Sequence, residues 1–400
     1  MPADRVHFRA GFASADITPD PSWSPVELSG YVDREQPALG VRERLEADAL
    51  ALAGDEQDPV VIVGLDLCIL GEDQVAKIAA ACPVPRQRLV LCCSHTHSAV
   101  ATYPLVGCGQ VSDAYLRHLA LVVGDTVRRA MAEAVPCRLG WGRATLPEPP
   151  WANRRDPSGP IDPRIHLLKI ERAESTRTPI CALWSLACHP VVLEATNRYI
   201  SPDWVGMVRR ALPMPSLFTQ GFCGEQNPAA CGEGAVAVWG AIATALEALW
   251  SRTPTAPSGP LGWRDNLVQL PRATGDPVGE WPQQTRAGAA MRLWVEQIAR
   301  PGQAVPPSPA EVRAARIGNG RVVFWPGEPH IPYALELPAD CLPVGHTGPT
   351  VGYIPEEAAY ARGGYEVQGA HRYYAYPSGL APEAGKGLRE ATTALLAALG

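Results

Sequence analysis

Nine histidines are spread over this 400-residue chain, and two of them share a site type with one glutamate. The continuous apolar run Leu89-Val90-Leu91-Cys92-Cys93 leads straight into Ser94-His95-Thr96-His97-Ser98. In extended backbone, residues i and i+2 project from the same face. His95 and His97 can therefore reach one point in space, as two metal ligands or as one ligand beside one acid/base. A second apolar run, Ile180 to Cys188, ends at His189-Pro190, and a third, Val322 to Trp325, ends at Pro326-Gly327-Glu328. Two imidazoles and a carboxylate are the donor set of a catalytic zinc site that keeps one position open for water. Iron and manganese suit the same donors, and a polar turn would carry His95 and His97 equally well as surface groups. Three such exits together favour one bound ion, Zn2+.

Positioning side chains in this way requires buried strands. Strand-like segments fall at Val60–Leu67, Arg88–Cys93, Cys137–Arg143, Arg164–Glu171, Ile180–Ala187, Ser216–Phe222, Gly262–Leu270 and Arg321–Trp325. Helical periodicity falls at Asp113–Ala134, Asp203–Ala211, Gly234–Trp250, Pro282–Ala299 and Pro382–Leu399. Their interleaving predicts an α/β fold with mixed sheet(s), and such folds place chemistry at the carboxyl ends of strands. The 41 prolines predict long, rigid connections. Leu146–Pro163, Thr253–Pro260 and Pro301–Pro309 are the Pro-rich candidates. No repeat or composition shift divides the chain, so a single domain over residues 1–400 is expected.

Composition excludes several classes. With 46% hydrophobic and 19% charged residues the chain can build a large core, which disordered sequences cannot. A formal charge of −6 is the wrong sign for a nucleic-acid footprint. The richest apolar stretch, Val60 to Leu70, is interrupted by Asp66 and falls short of the roughly 18 residues of a membrane span. Met1 to His7 lacks the basic and apolar regions of a signal peptide. The eleven cysteines contain no C-x-x-C pair, and an odd number cannot all pair within one chain. A reducing, cytoplasmic setting and a small-molecule substrate are expected; the sequence is equally compatible with a monomer and a homo-oligomer.

Taken in order, the short motifs resemble the catalytic domain of the neutral (non-lysosomal) ceramidase family. Gly11-Phe12-Ala13-Ser14-Ala15-Asp16-Ile17-Thr18-Pro19 is similar to its opening segment, and Gly30-Tyr31, Gly40-Val41 and Arg44-Leu45 follow at family-like intervals. Ser94-His95-Thr96-His97-Ser98 resembles its Thr-His-Thr-His-Ser signature, Asn153-Arg154 its Asn-Arg loop and His189-Pro190 its His-Pro. Ser201-Pro202-Asp203, Pro326-Gly327-Glu328 and Gly352-Tyr353 resemble three later motifs. In that family zinc is held by two histidines, a glutamate and a tyrosine. The resemblance therefore implies His95, His189, Glu328 and Tyr353 as ligands, His97 as acid/base, and Arg154 and Tyr353 as contacts to substrate or transition state.

Two departures shape the expected activity. Where the family carries Gly-Asp-x-Ser-Pro-Asn, with an active-site serine, this chain reads Gly224-Glu225-Gln226-Asn227-Pro228-Ala229. An amide at Asn227 can hydrogen-bond but cannot attack a carbonyl, so hydrolysis is expected to use metal-bound water. Family ceramidases also carry a further C-terminal domain, and none is expected here. The expected activity is zinc-dependent hydrolysis of an amide in a small or acylated metabolite other than ceramide. The alternative is the same scaffold diverted to condensation, cyclisation or rearrangement in small-molecule biosynthesis, that is, in secondary metabolism. Elsewhere, Asp66 could orient a ligand histidine or cap a turn, Asp203 reads as a helix N-cap, Trp325 is expected near the site by adjacency to Glu328, and His330, His346 and His371 read as loop residues or cleft-lining groups.

Overall fold

The computed structural model describes residues 8–23, 25–54, 58–274 and 305–400. Twelve strands form one sheet: β1 Phe8–Asp16, β2 Glu46–Gly54, β3 Val60–Leu65, β4 Leu89–Cys93, β5 Val135–Thr145, β6 Arg164–Arg172, β7 Pro179–Leu186, β8 Ser216–Gln220, β9 Leu261–Leu270, β10 Ser308–Ile317, β11 Gly320–Pro326 and β12 Cys341–Thr347. Their spatial order is β8-β7-β6-β5-β1-β2-β3-β4-β12-β11-β10-β9. Three pairs are parallel, β3 with β4, β7 with β8 and β11 with β12. The remaining pairings are antiparallel. The expected mixed α/β architecture is thus present, and each strand that leads into a candidate ligand belongs to a parallel pair.

The sheet curls over on itself. β8, at one edge, packs against β2, β3, β4 and β12. The inner core between the two halves is built from alternate residues, among them Leu50, Leu52, Ile62, Val90, Leu183, Leu217, Phe324 and Val344. The layers come so close at Gly64 that a Cβ there would lie 2.8 Å from the carbonyl oxygen of Phe218, so only glycine fits. The intervening residues Ala47, Ala49, Val61, Val63, Leu89 and Leu91 face outward under helices α1 Glu72–Ala81 and α2 Asp113–Ala132. On the other half, Leu167, Trp184 and Phe218 pack under α3 Trp204–Ala211 and α4 Gly240–Arg252. Val312, Val323 and Trp325 pack under α5 Glu383–Ala397. Burial on both faces is why β3, β4 and β7 read as unbroken apolar runs.

The expected elements on described residues are present with shifted ends; Pro282–Ala299 and the start of Pro301–Pro309 lie outside the described residues. Pro309 itself pairs with Gln269 inside β10, so that connector ends in a strand. None of the eleven cysteines forms a disulfide, and nine are buried. No helix among the described residues is long and apolar enough to cross a membrane.

One charge sits deep in the first half. Arg209 of α3 reaches Glu46 at 3.1 Å, Asp48 at 3.5 Å and Asp66 at 2.6 Å. Asp66 is therefore spent on this cluster and on the backbone N–H of Glu46, and orients no histidine. Burial pushes Asp48 up to about 7 even though Arg209 pulls it down. A carboxyl whose folded pKa exceeds its unfolded value of about 3.9 binds more protons when folded, so its ionisation weakens the fold as pH rises through that window. Arg209→Met removes the counter-charge to Asp48 and is expected to cost about 3–5 kcal/mol. In urea unfolding, the difference from wild type should be largest above pH 7 and shrink toward pH 5, where protonation relieves the unpaired Asp48 carboxylate.

Candidate metal centre

The three strand exits converge. Beyond β4, Ser94 N–H donates to Leu65 O at 2.8 Å and His95 N–H to Leu67 O at 2.9 Å. His95 adopts a positive φ of 70°, so the chain turns here instead of running on extended. The expected meeting of His95 and His97 still occurs, with their Nε2 atoms 3.3 Å apart. Beyond β7, the His189 N–H donates to Gln226 O at 3.0 Å. Gln220, fully buried at the end of β8, ties the two exits together: its Nε2 donates to Ser94 O at 3.0 Å and to Cys188 O at 2.8 Å. Asp203 caps α3 as expected and also accepts from the N–H groups of Val192 and Leu193, which fixes the segment after His189-Pro190. Beyond β11, Gly327 has φ 70° and a Cβ would lie 2.3 Å from Gly352 O, so glycine is required before Glu328. Glu328 then pairs with Tyr353 in a two-residue parallel ladder.

Oε2 of Glu328 lies 3.2 Å from His189 Nε2 and 3.3 Å from His95 Nε2. Ligand atoms on neighbouring corners around a tetrahedral zinc stand about 3.3 Å apart, given bonds of ~2.0–2.1 Å. His95 Nδ1 faces the carbonyl of Cys68 at 2.9 Å, and His189 Nδ1 faces that of Gln226 at 3.1 Å. A carbonyl only accepts, so each Nδ1 carries a proton and each Nε2 is the ring atom turned toward the carboxylate. Two imidazole nitrogens and a carboxylate oxygen gathered in one buried space are a donor set that fits zinc. All three side chains are at most 3% exposed. Burial works against a charge on Glu328, yet contact with His95 and His189 outweighs it and holds the carboxyl well below the usual range.

Tyr353 and Arg154 form the adjoining wall. Arg154 Nη2 donates to the Tyr353 hydroxyl at 3.0 Å and to Gly224 O at 2.8 Å; Nε donates to Glu366 at 3.1 Å and Nη1 to Asn227 Oδ1 at 3.3 Å. Asn227 and Arg154 meet because Gln226–Pro228 pairs with Trp151–Asn153. Burial and the imidazoles of His95 and His189 hold His97 well below the ordinary histidine range, so its ring is neutral near pH 7. His95, His97, Glu328 and Tyr353 line a cavity of about 140 Å3 together with Tyr31, Tyr365, Tyr373, Tyr374, Cys68 and Cys108. Arg154 and Tyr365 also border an open cleft of about 680 Å3 walled by Arg155 and Arg362.

Sequence reasoning missed several contributors. Gln220 and the two backbone carbonyls left no compositional trace, and Tyr374, whose hydroxyl donates to Glu328 Oε1, was visible only as part of a tyrosine-rich loop. His346 lies closer in than a loop residue: its ring centroid is 4.2 Å from that of His95, and its donor atoms cluster with those of His95 and Glu328 within 4.8 Å. His330 instead turns away, its Nδ1 accepting from the Glu356 N–H at 3.3 Å beside Glu225. Trp325 is packed against Phe222 and Tyr333 and bonded to Thr392, in the core under α5 and not in the cleft.

The family model for "Neutral/alkaline non-lysosomal ceramidase, N-terminal" matches residues 8–213. Among solved structures, the neutral ceramidase of Pseudomonas aeruginosa aligns with a TM-score of 0.77 at 18% identity, covering 99% of this chain and 75% of that one. A ceramidase complexed with C2 aligns with a TM-score of 0.74 at 17% identity, covering 96% of this chain and 74% of that one. No curated protein matches the sequence. At these identities the structural likeness speaks for the fold.

His95→Ala and His189→Ala are each expected to reduce bound zinc from one per chain to near zero, read by elemental analysis of the purified protein. Cys68→Ala should keep its zinc, because the backbone carbonyl of Cys68 holds His95 Nδ1 at 2.9 Å, closer than the thiol at 3.8 Å, and survives the substitution. Zinc lost from the Cys68 variant but kept by both histidine variants would assign the ligands differently.

Proposed function

Because the chain belongs to the neutral/alkaline non-lysosomal ceramidase family, we propose that it is a zinc-dependent hydrolase of an amide bond in a small or acylated metabolite. The observation that carries this reading is the convergence of His95, His189 and Glu328 with both Nδ1 protons committed to carbonyls. His95, His189, Glu328 and Tyr353 would hold the ion, in one catalytic domain spanning the chain. Zinc bound there supplies polarisation of a carbonyl and acidification of a water.

The protein's own residues supply the rest. His97, kept neutral by burial, takes up a proton beside the ligands and returns it to the departing nitrogen. Arg154 and the Tyr353 hydroxyl face the charge that grows on the carbonyl oxygen. Their positions are set in advance by Glu366, Gly224 and Asn227, so little reorganisation accompanies the reaction. Asn227 gives Arg154 an acceptor and no nucleophile, so the attacking oxygen comes from water. The cavity of about 140 Å3 is well below the roughly 300–1,000 Å3 of sites for drug-sized ligands, which favours a small acyl portion over a long chain. Eleven cysteines without a disulfide suit a cytoplasmic setting.

Asn227 in place of a serine also motivates the non-hydrolytic alternative, and one experiment separates the two. Incubated with short N-acyl amides in 18O-labelled water, the zinc-loaded enzyme is expected to release amine and place one label in the carboxylate product. Turnover without label would favour condensation, cyclisation or rearrangement. Chelation should abolish the activity and zinc restore it. Arg154→Ala should lower kcat/KM by about 10²–10³-fold, the usual loss of one oxyanion donor.

A further inference from the structure

We propose that Tyr374 is a positioning residue for the metal centre, holding Glu328 by one oxygen so that only the other reaches the ion. The inference rests on the reading that His95, His189 and Glu328 bind metal, and goes beyond it by assigning the carboxylate's mode of binding. Glu328 is 1% exposed, and its two oxygens have different partners. Oε2 faces both imidazoles, whereas Oε1 accepts the hydroxyl of Tyr374. The Tyr374 hydroxyl competes with a cation for Oε1 and so favours binding through Oε2 alone.

The hydroxyl is aimed by packing that does not involve Glu328. Tyr374 is 4% exposed, and its ring stacks on Tyr376 with centroids 6.2 Å apart and planes at 12°. Tyr376 is fixed in turn by its hydroxyl on Thr350 O at 3.0 Å and by the Arg272 guanidinium 3.5 Å above its ring. The Tyr103 hydroxyl donates to Tyr374 O at 3.0 Å, which fixes the backbone. The hydroxyl therefore stands in place whether or not the carboxylate does.

The second phenol on the same wall has the opposite partner. The Tyr353 oxygen accepts from Arg154, whereas the Tyr374 hydroxyl donates to the carboxylate of Glu328. The two tyrosines thus divide the work, and Tyr374 is the one that bonds Glu328.

The test uses the full chain loaded with zinc or cobalt. Tyr374→Phe is expected to weaken zinc binding by about 10–100-fold in competition with a chromophoric chelator, the usual effect of losing a partner to a ligand. It should also alter the visible absorption of the Co(II) form in the direction of a higher coordination number. Tyr360→Phe removes a phenol hydroxyl that bonds Leu380 O at 3.0 Å, outside the stack and away from Glu328, and should leave affinity and spectrum unchanged. A second measurement needs no variant: in the wild-type holoprotein with 13C-labelled glutamate, the asymmetric and symmetric carboxylate stretches of Glu328 should show the wide separation of one-oxygen binding. A narrow, two-oxygen separation would overturn the role, as would a Tyr374→Phe protein whose affinity and cobalt spectrum match wild type. A wild-type chain that binds no metal would remove the metal-site reading together with this role, whereas normal binding with an unaffected Tyr374→Phe would remove the role alone.

Discussion

In a buried site, Oε2 of Glu328 stands 3.2 Å from Nε2 of His189 and 3.3 Å from Nε2 of His95. The outer atoms of all three groups are engaged elsewhere. The imidazole protons of His95 and His189 are held by the carbonyls of Cys68 and Gln226, and the outer oxygen of Glu328 is held by Tyr374. Turning either ring would take its Nδ1 proton from the carbonyl and leave that buried acceptor unsatisfied, a cost of about 1–3 kcal/mol. The surrounding backbone thus demands one orientation of both rings.

That demand depends on a long-range feature of the sheet. β7, which delivers His189, is six places from β4, which delivers His95. In a flat sheet with strands about 4.8 Å apart, the two exits would be about 29 Å from each other. They meet because the sheet curls until edge strand β8 lies against β2, β3, β4 and β12. Gly64 permits the close approach, and Gln220, at the end of β8, joins the two exits through Ser94 O and Cys188 O. A single buried amide side chain thus fixes the relative height of two strands that are remote in the sheet order.

The exits were legible in the sequence because burial on both faces gives strands that are apolar without interruption, with polar chemistry beginning where the strand stops. β2 was not legible. Glu46-Ala47-Asp48-Ala49-Leu50-Ala51-Leu52 is rich in alanine, a poor strand former, and the alanines are there because helices press closely on that face. β12 contains Pro343, Gly345 and His346 and reads locally as a loop; its pairing with β11 makes it a strand. The pairing of His95 with His97 was anticipated from extended geometry, but it is achieved by a turn at a positive φ. Adjacency misled at Trp325, since neighbours on a strand point to opposite faces and a short turn after it reverses direction again. Carbonyl partners cannot be read from sequence at all, because every residue has one.

The amide at position 227 shows how a partly buried cation recruits its acceptors. A guanidinium has five N–H donors and no acceptor, so a partly buried arginine needs oxygen atoms around it. Arg154 finds them on Glu366, Gly224, Tyr353 and Asn227. A serine at 227 would offer a hydroxyl capable of attack; Asn227 offers a carbonyl oxygen that only accepts. Asn227 therefore serves Arg154 as a fixed acceptor. Since Arg154 also bonds the Tyr353 hydroxyl, the amide at 227 is linked to the phenol through the guanidinium.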